Sequence, residues 1–323
     1  MRAFVTGASG FVGANLARRL LADGHEVHLA LRKDHQPWRI DEIKKDLTVH
    51  DADITDRTAT ERAIKAARPD WIFHLAAYGA YPFQTEFGRM VETNFLGTAN
   101  LLDAAQSQGF AAFVNAGTSS EYGYKDHAPR EDELLEPNSH YAVSKAAVTY
   151  LLKMRAAAKS LPIRSIRMYS AYGPYEEPTR LVPTLIVRGL EGRLPPLANP
   201  DISRDYVHVD DVCDAFVRAA ATQALEAGVV YNAGTGVQTP LRDIVRVTSE
   251  LLGVESEPEW GSMQQRLWDT TVWVSDPTKI KSELGWRPRY DLVQGLTQTV
   301  GWFRLHPELL DRYRAAQQSP SHS

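Results

Sequence analysis

Apolar positions along the chain follow two rhythms. Residues 2–6 form a short apolar run, residues 7–13 are rich in glycine, and residues 14–23 carry Leu16, Leu20 and Leu21 at helical spacing before Gly24 stops the helix. Residues 26–31 predict a second strand. The alternation continues, with strands expected near 47–50, 71–75, 111–116, 163–169 and 229–232 and long helices near 90–108 and 141–159. Parallel strands need a crossover, and a helix supplies it, so this pattern implies an α/β chain built on a doubly wound parallel sheet.

After about Ser170 the rhythm loosens, and prolines at 174, 178, 183, 195, 196 and 200 punctuate the chain. The sheet pattern resumes near Asp205 and stops again after Asn232. We therefore expect residues 1–170 plus 205–235 to form a dinucleotide-binding domain. Residues 171–204 plus 236–315 would form a smaller α/β substrate domain, and the polar residues 316–323 a disordered tail. No internal repeat is visible.

Composition narrows the function classes. The net charge of −4, with no Lys/Arg-rich run, leaves no electrostatic footprint for nucleic acid. Cys213 is the only cysteine, which excludes an internal disulfide and a multi-thiolate metal site; no metal is expected. No apolar run approaches the roughly 20 residues that span a bilayer. The chain opens directly into a strand without a signal-peptide pattern, so a cytoplasmic location is expected.

The turn Gly7-Ala-Ser9-Gly10-Phe11-Val12-Gly13 joins the first strand to the first helix. Glycines let the backbone approach a pyrophosphate, and the helix N-terminus adds oriented N–H groups. A glycine triplet alone would suit an ordinary turn. The flanking strand and helix make it a Rossmann-type cofactor loop. At the end of the second strand an acidic residue would bond a ribose 2′-hydroxyl and favour NAD. Here Leu31 is followed by Arg32 and Lys33, which favours NADP(H) over NAD(H), with Arg32 meeting the 2′-phosphate; solvated loop charges are the bland alternative. Asp53 and Ile54, after the third strand, suit an adenine amine, although an aspartate opening a turn is nearly as good a reading of Asp53.

Tyr141 and Lys145 stand four apart on a helix, which puts both side chains on one face. A nearby ammonium lowers a phenol pKa and lets it act as acid or base near neutral pH. Thr118, Ser119 and Ser120 close the preceding strand at its carboxyl end, where ligands bind in open α/β sheets. An isolated Tyr–Lys pair would read as surface. Combined with Thr118 it reads as a catalytic triad.

These features together resemble the extended short-chain dehydrogenase/reductases, the nucleotide-sugar epimerase/dehydratase family. The matching segments are Thr6-Gly-Ala-Ser-Gly-Phe-Val-Gly13, His74-Leu75-Ala76-Ala77, the 93–102 stretch, Thr118-Ser-Ser-Glu-Tyr-Gly123 and Tyr141-Ala-Val-Ser-Lys145. Beyond them come 171–174, Arg204-Asp-Tyr-Val-His-Val-Asp-Asp-Val212, 231–236 and 275–288. The resemblance implies that Tyr141 is the general acid/base, that Lys145 holds the nicotinamide ribose, and that Thr118 is the triad hydroxyl. It implies that Asn94 supports the site through its helix, that Leu75, Ala76 and Ala77 line the cofactor channel, and that Ser119, Ser120 and Ser170 face the substrate. Arg204, and Arg266 as a second candidate, would meet the nucleotide diphosphate, for which a planar guanidinium is suited. His208, Asp210 and Asp211 are expected to cap a helix rather than bind a metal. A homodimer through the helices near 90–108 and 141–159 is implied as well.

Two departures bear on the reaction. The family's dehydratases carry a glutamate two residues after the triad hydroxyl, where this chain has Ser120. Glu121 comes one residue late, and on a strand-like segment would point to the opposite side. Ser170 stands where the family usually has asparagine. We therefore expect an NADPH-dependent reductase of a nucleotide-linked 4-keto deoxyhexose, which the missing acid at Leu31 and the stretch 263–288 favour by their likeness to reductases making abequose- and paratose-type nucleotides. A nucleotide-sugar 4-epimerase with tightly bound NAD is the alternative, and a catalytically silent cofactor sensor is the second.

Overall fold

The computed structural model describes residues 1–263 and 270–318. The strands are β1 (Arg2–Thr6), β2 (Glu26–Leu31), β3 (Leu47–Asp51), β4 (Trp71–His74), β5 (Ala112–Thr118), β6 (Ile163–Met168), β7 (Ser170–Tyr172), β8 (Ser203–Arg204), β9 (Tyr206–His208), β10 (Val229–Ala233) and β11 (Thr239–Pro240). The helices are α1 (Phe11–Ala22), α2 (Arg57–Ala67), α3 (Phe87–Met90), α4 (Gly97–Gln108), α5 (His140–Lys159), α6 (Leu181–Leu190), α7 (Val209–Ala221), α8 (Leu241–Leu252), α9 (Thr278–Leu284), α10 (Leu292–Leu305) and α11 (Pro307–Gln318).

Seven strands form one parallel sheet in the order β10-β6-β5-β4-β1-β2-β3. The chain starts in the middle, runs outward to β3, then returns to the other side of β1. The switch point therefore lies between β1 and β4, where Thr6 pairs with Ala30 on one side and His74 on the other. Both faces of the sheet are covered, which is why its strands read as continuous apolar runs. Val5, Leu16, Phe73, Phe216 and Trp286 share one core, and Phe4, Ile64, Leu101, Phe113 and Leu152 the other. A third core, with Leu185, Ile244, Leu296, Phe303 and Tyr313, belongs to the smaller subdomain of α6, α8, α10 and α11.

Three expectations need correction. The resumption near Asp205 is not yet the main sheet: β9 pairs with β7, β8 with β11, and the sheet itself resumes only at β10. The expected tail is helical through Gln318, because Tyr313 anchors α11 in the third core and Gln317 Nε2 donates to Pro178 O at 2.9 Å; residues 319–323 lie outside the described residues. The helix expected near 90–108 begins at Phe87 and passes through a π-turn, Val91–Leu96, between α3 and α4.

Candidate active site

The carboxyl ends of β1, β4 and β5 and the start of α5 meet at one edge of the sheet, which is where an open α/β sheet holds a ligand. The glycine turn is built for close approach. Gly7 has φ +72°, and a Cβ on it would lie 2.6 Å from Ala76 N. A Cβ on Gly13 would lie 2.3 Å from Gly7 O. A Cβ on Gly10 would meet only Gly7 O, at 3.1 Å, so this position opens outward. No side chain caps α1, which leaves the amides of Phe11, Val12 and Gly13 pointing out of the helix start beside Ser9. A pyrophosphate fits this cradle. Thr6 Oγ1 accepts from Ala76 N at 3.2 Å and contacts His74 Nδ1 at 2.8 Å, fixing the 75–77 segment beside the turn.

Arg32 is exposed and paired with Asp34 at 3.3 Å, while Lys33 pairs with Asp51 at 3.5 Å. Leu31 closes β2 buried, with no carboxylate in its place. Asp53 Oδ1 accepts from Thr55 N and Thr55 Oγ1 at 2.9 and 2.8 Å, so Asp53 makes the turn that was its bland reading. Ile54 is buried under Gly97, where a Cβ would stand 2.8 Å from its side chain.

Tyr141 and Lys145 occupy the first turns of α5, whose N-cap Ser139 accepts from Ala142 N at 3.1 Å. Lys145 is only 4% exposed, and among the described residues its ammonium has no hydrogen-bond partner. Burial pushes its pKa down to about 8, partly offset by the charge of Glu121. The Nζ atom itself is not sealed from solvent, and a ribose diol is a fitting partner for it. The Tyr141 phenol is raised rather than lowered, contrary to the expectation from the Tyr–Lys pair. Burial is the largest cause, Glu121 and Tyr81 add to it, and Arg180 opposes it. The phenol thus rests protonated and suits proton donation.

Asn94, in the π-turn, explains the distortion of its helix. Its Oδ1 accepts from Tyr78 N, and its Nδ2 donates to Tyr78 O and to Ser144 Oγ, all at 2.8 Å. Ser144 Oγ donates in turn to Tyr141 O at 2.8 Å. The loop after β4 and the first turn of α5 are thereby held to one another.

Thr118 ends β5, and its Oγ1 accepts from Ser120 N at 3.2 Å. The segment that follows is a 3-10 turn, Ser119–Tyr122, not strand-like as expected. Glu121 nevertheless faces inward. It is fully buried, accepting from Thr118 N at 2.9 Å, Thr149 Oγ1 at 2.8 Å and Arg167 Nε at 2.9 Å. Ser119 Oγ accepts from Trp273 Nε1 at 3.2 Å. Trp273 also lies against Arg204, whose guanidinium sits 5.4 Å from the indole ring and donates to Ser203 O at 2.8 Å. Ser170 N donates to Asp205 O at 2.9 Å, which brings Ser170 beside the Arg204 strand. Arg266 lies outside the described residues. His208 caps α7, accepting from Asp210 N at 3.3 Å, and Asp211 receives Arg289 N and Tyr290 N at 3.0 and 3.2 Å. Cys213 is buried, and its thiol pKa is raised by that burial.

Sequence reasoning missed Arg167, Trp273 and Asp205. Arg167 meets Glu121 from 46 positions away, and Trp273 meets Ser119 from 154. No local pattern carries such pairings.

The fold and this edge form an α/β scaffold suited to a dinucleotide. Residues 3–234 match the NAD dependent epimerase/dehydratase family, and the chain belongs to it. A dTDP-glucose 4,6-dehydratase of Streptomyces griseus is 32% identical over 94% of each chain. A UDP-glucose 4-epimerase of Mycolicibacterium smegmatis is 33% identical, over 94% of this chain and 99% of its own. The structure of Thermus thermophilus UDP-glucose 4-epimerase, in complex with NAD, superposes with a TM-score of 0.82 at 31% identity, covering 94% of this chain and 99% of the other. Membership brings dependence on a nicotinamide dinucleotide. Among the described residues, no helix is long and apolar enough to cross a membrane.

Proposed function

We propose that this chain acts on a nucleotide-linked sugar by transient hydride exchange at a single carbinol, and that its reaction is 4-epimerisation of a nucleoside-diphosphate sugar. The observation that carries this is the fate of Glu121. Dehydration across C5–C6 needs a base for C5 and an acid for the leaving hydroxyl. The turn beside Thr118 offers two serines, and its only carboxylate is turned inward to Arg167 and Thr149. The relatives include dehydratases and 4-epimerases, and the side chains beside Thr118 suit the second.

A nicotinamide dinucleotide, when bound, supplies hydride exchange with C4. The glycine turn and the α1 amides would hold its pyrophosphate, and Lys145 its nicotinamide ribose. Tyr141 would exchange the proton of the C4 oxygen, with Thr118 Oγ1 sharing that hydrogen bond. Arg204 would meet the diphosphate of the sugar nucleotide.

A second reading is favoured by Leu31 and Arg32: a 4-keto-sugar reductase that prefers NADP. The two separate in one experiment. Purified protein is incubated with UDP-, dTDP-, CDP- and GDP-hexoses without added cofactor, and C4 configuration is followed by NMR. The expected result is interconversion of gluco and galacto forms, abolished in Tyr141→Phe. No interconversion, with NADPH consumed on a 4-keto-6-deoxy sugar nucleotide, would replace the epimerase by the reductase. Both wild type and Tyr141→Phe inert in every assay would leave a cofactor sensor.

A further inference from the structure

The Arg204–Val212 segment contributes more than Arg204. Asp205 follows it and is fully buried. One carboxylate oxygen accepts the Thr235 N–H at 2.8 Å and the Thr235 hydroxyl at 2.6 Å. The other accepts the Gly236 N–H at 3.0 Å, the Ser275 N–H at 3.0 Å and the Ser275 hydroxyl at 2.6 Å. Its backbone carbonyl takes the Ser170 N–H at 2.9 Å. Gly234 makes room for this knot, since a Cβ there would stand 2.6 Å from the Asp205 carboxylate.

Five donors saturate a carboxylate, which has about four lone-pair sites. No cation lies within ion-pair distance of it among the described residues. Such a group is an expensive way to add stability, because desolvation consumes most of the gain. What a shared acceptor supplies is register: segments that bond one carboxylate hold fixed positions relative to one another. The segments joined here are those of the substrate side. Ser170 and Arg204 are members themselves. Ser275 ends the stretch 270–275, which is otherwise tied by Ser203 N to Thr270 O at 3.0 Å and Gln238 Nε2 to Thr271 O at 2.8 Å. That stretch carries Trp273 across to Ser119, next to Thr118.

We infer that Asp205 is the positioning residue of the substrate cleft, fixing the Trp273 stretch and the Arg204 strand in the arrangement that receives the nucleoside diphosphate. The inference rests on the proposed nucleotide-sugar site. Asp205 touches neither the cofactor turn nor Tyr141, so its loss should weaken sugar-nucleotide binding while sparing cofactor retention and the chemical step.

The test titrates UDP, dTDP, CDP and GDP into wild-type protein with its bound dinucleotide, then into Asp205→Asn, Ser275→Ala and Thr235→Ser. Asparagine turns one acceptor into a donor facing donors, so dissociation constants should rise roughly tenfold or more. Ser275→Ala keeps the charge and removes one bond, and should cost roughly threefold. Thr235→Ser keeps its hydroxyl and should bind as wild type. KM for the sugar substrate should follow these values with kcat within about threefold of wild type, and dinucleotide content should not change. Wild-type affinity in both Asp205→Asn and Ser275→Ala would overturn the inference alone, as would a fall in kcat at constant KM or a parallel loss of dinucleotide. If Asp205→Asn does not fold, Ser275→Ala decides. Failure of the wild type itself to bind any of the four diphosphates would sink the underlying functional reading together with it.

Discussion

Replacing Glu121 by alanine tests whether the turn after Thr118 depends on a buried ion pair. Arg167 is 2% and Glu121 0% exposed, with Nε and Oε2 2.9 Å apart. Removing one partner of such a pair leaves an uncompensated charge and costs about 3–5 kcal/mol. The change also strips Thr118 N and Thr149 Oγ1 of their acceptor, at about 1 kcal/mol each. A loss near the top of that range should lower the melting midpoint by on the order of 10 °C. The double variant Glu121→Leu with Arg167→Met removes both charges and keeps the volume. It should recover all but about 3–4 kcal/mol, left by the two Thr groups and by Tyr122 Oη and Glu131 O, which lose the Arg167 donor. Urea unfolding of the wild type, Glu121→Ala and the double variant, at fixed dinucleotide concentration, measures these differences. If the double variant is no more stable than Glu121→Ala, the charge left on Arg167 is not the source of the loss, and the reasoning fails.

Gly13→Ala should abolish dinucleotide retention, because the added Cβ would meet Gly7 O at 2.3 Å; mass spectrometry of the purified protein reads this directly. His74 is fully buried between Thr6 and Thr98, and burial pulls its pKa down to about 3. The unfolded chain therefore takes the proton first as pH falls below about 6.5, and stability should drop by about 2 kcal/mol between pH 7 and 5. His74→Gln should flatten that slope, and an unchanged slope would remove His74 as its cause. Val143, Tyr150 and Met154 leave an exposed apolar stripe on α5, with Leu96 nearby on the α4 side. If this stripe meets a second copy, as the family resemblance implies, Met154→Glu should give a monomer in sedimentation; a wild-type monomer would refute it.

Much of this was legible because the cofactor side is written locally. Strand, glycine turn and helix lie within residues 2–22, and the Tyr141–Lys145 spacing needs only one helical turn to align. The substrate side is written across the chain. The 3-10 turn after Thr118 depends on Glu121 capping Thr118 N and finding Arg167, so a strand-like extrapolation of Thr-Ser-Ser failed there. The π-turn at Asn94 arises from bonds to Tyr78 and Ser144, at separations of 16 and 50 residues. The last turn of α11, residues 316–318, reads as a tail from its polar composition, which does not show that Gln317 bonds Pro178 O across the chain.

The seventh strand has a consequence for how the molecule is made. β10 pairs with β6 only after the chain has left the sheet and returned, more than 60 positions later. Asn232 in β10 accepts from Tyr122 Oη at 2.8 Å and donates its backbone N–H to Glu131 at 2.9 Å. A fragment cut near residue 170 would therefore present β6 as a bare, apolar edge open to mispairing, and the turn beside Thr118 would lack its lateral brace. The nucleotide half should therefore not survive excision near residue 170, since the strand that seals it arrives later in the chain.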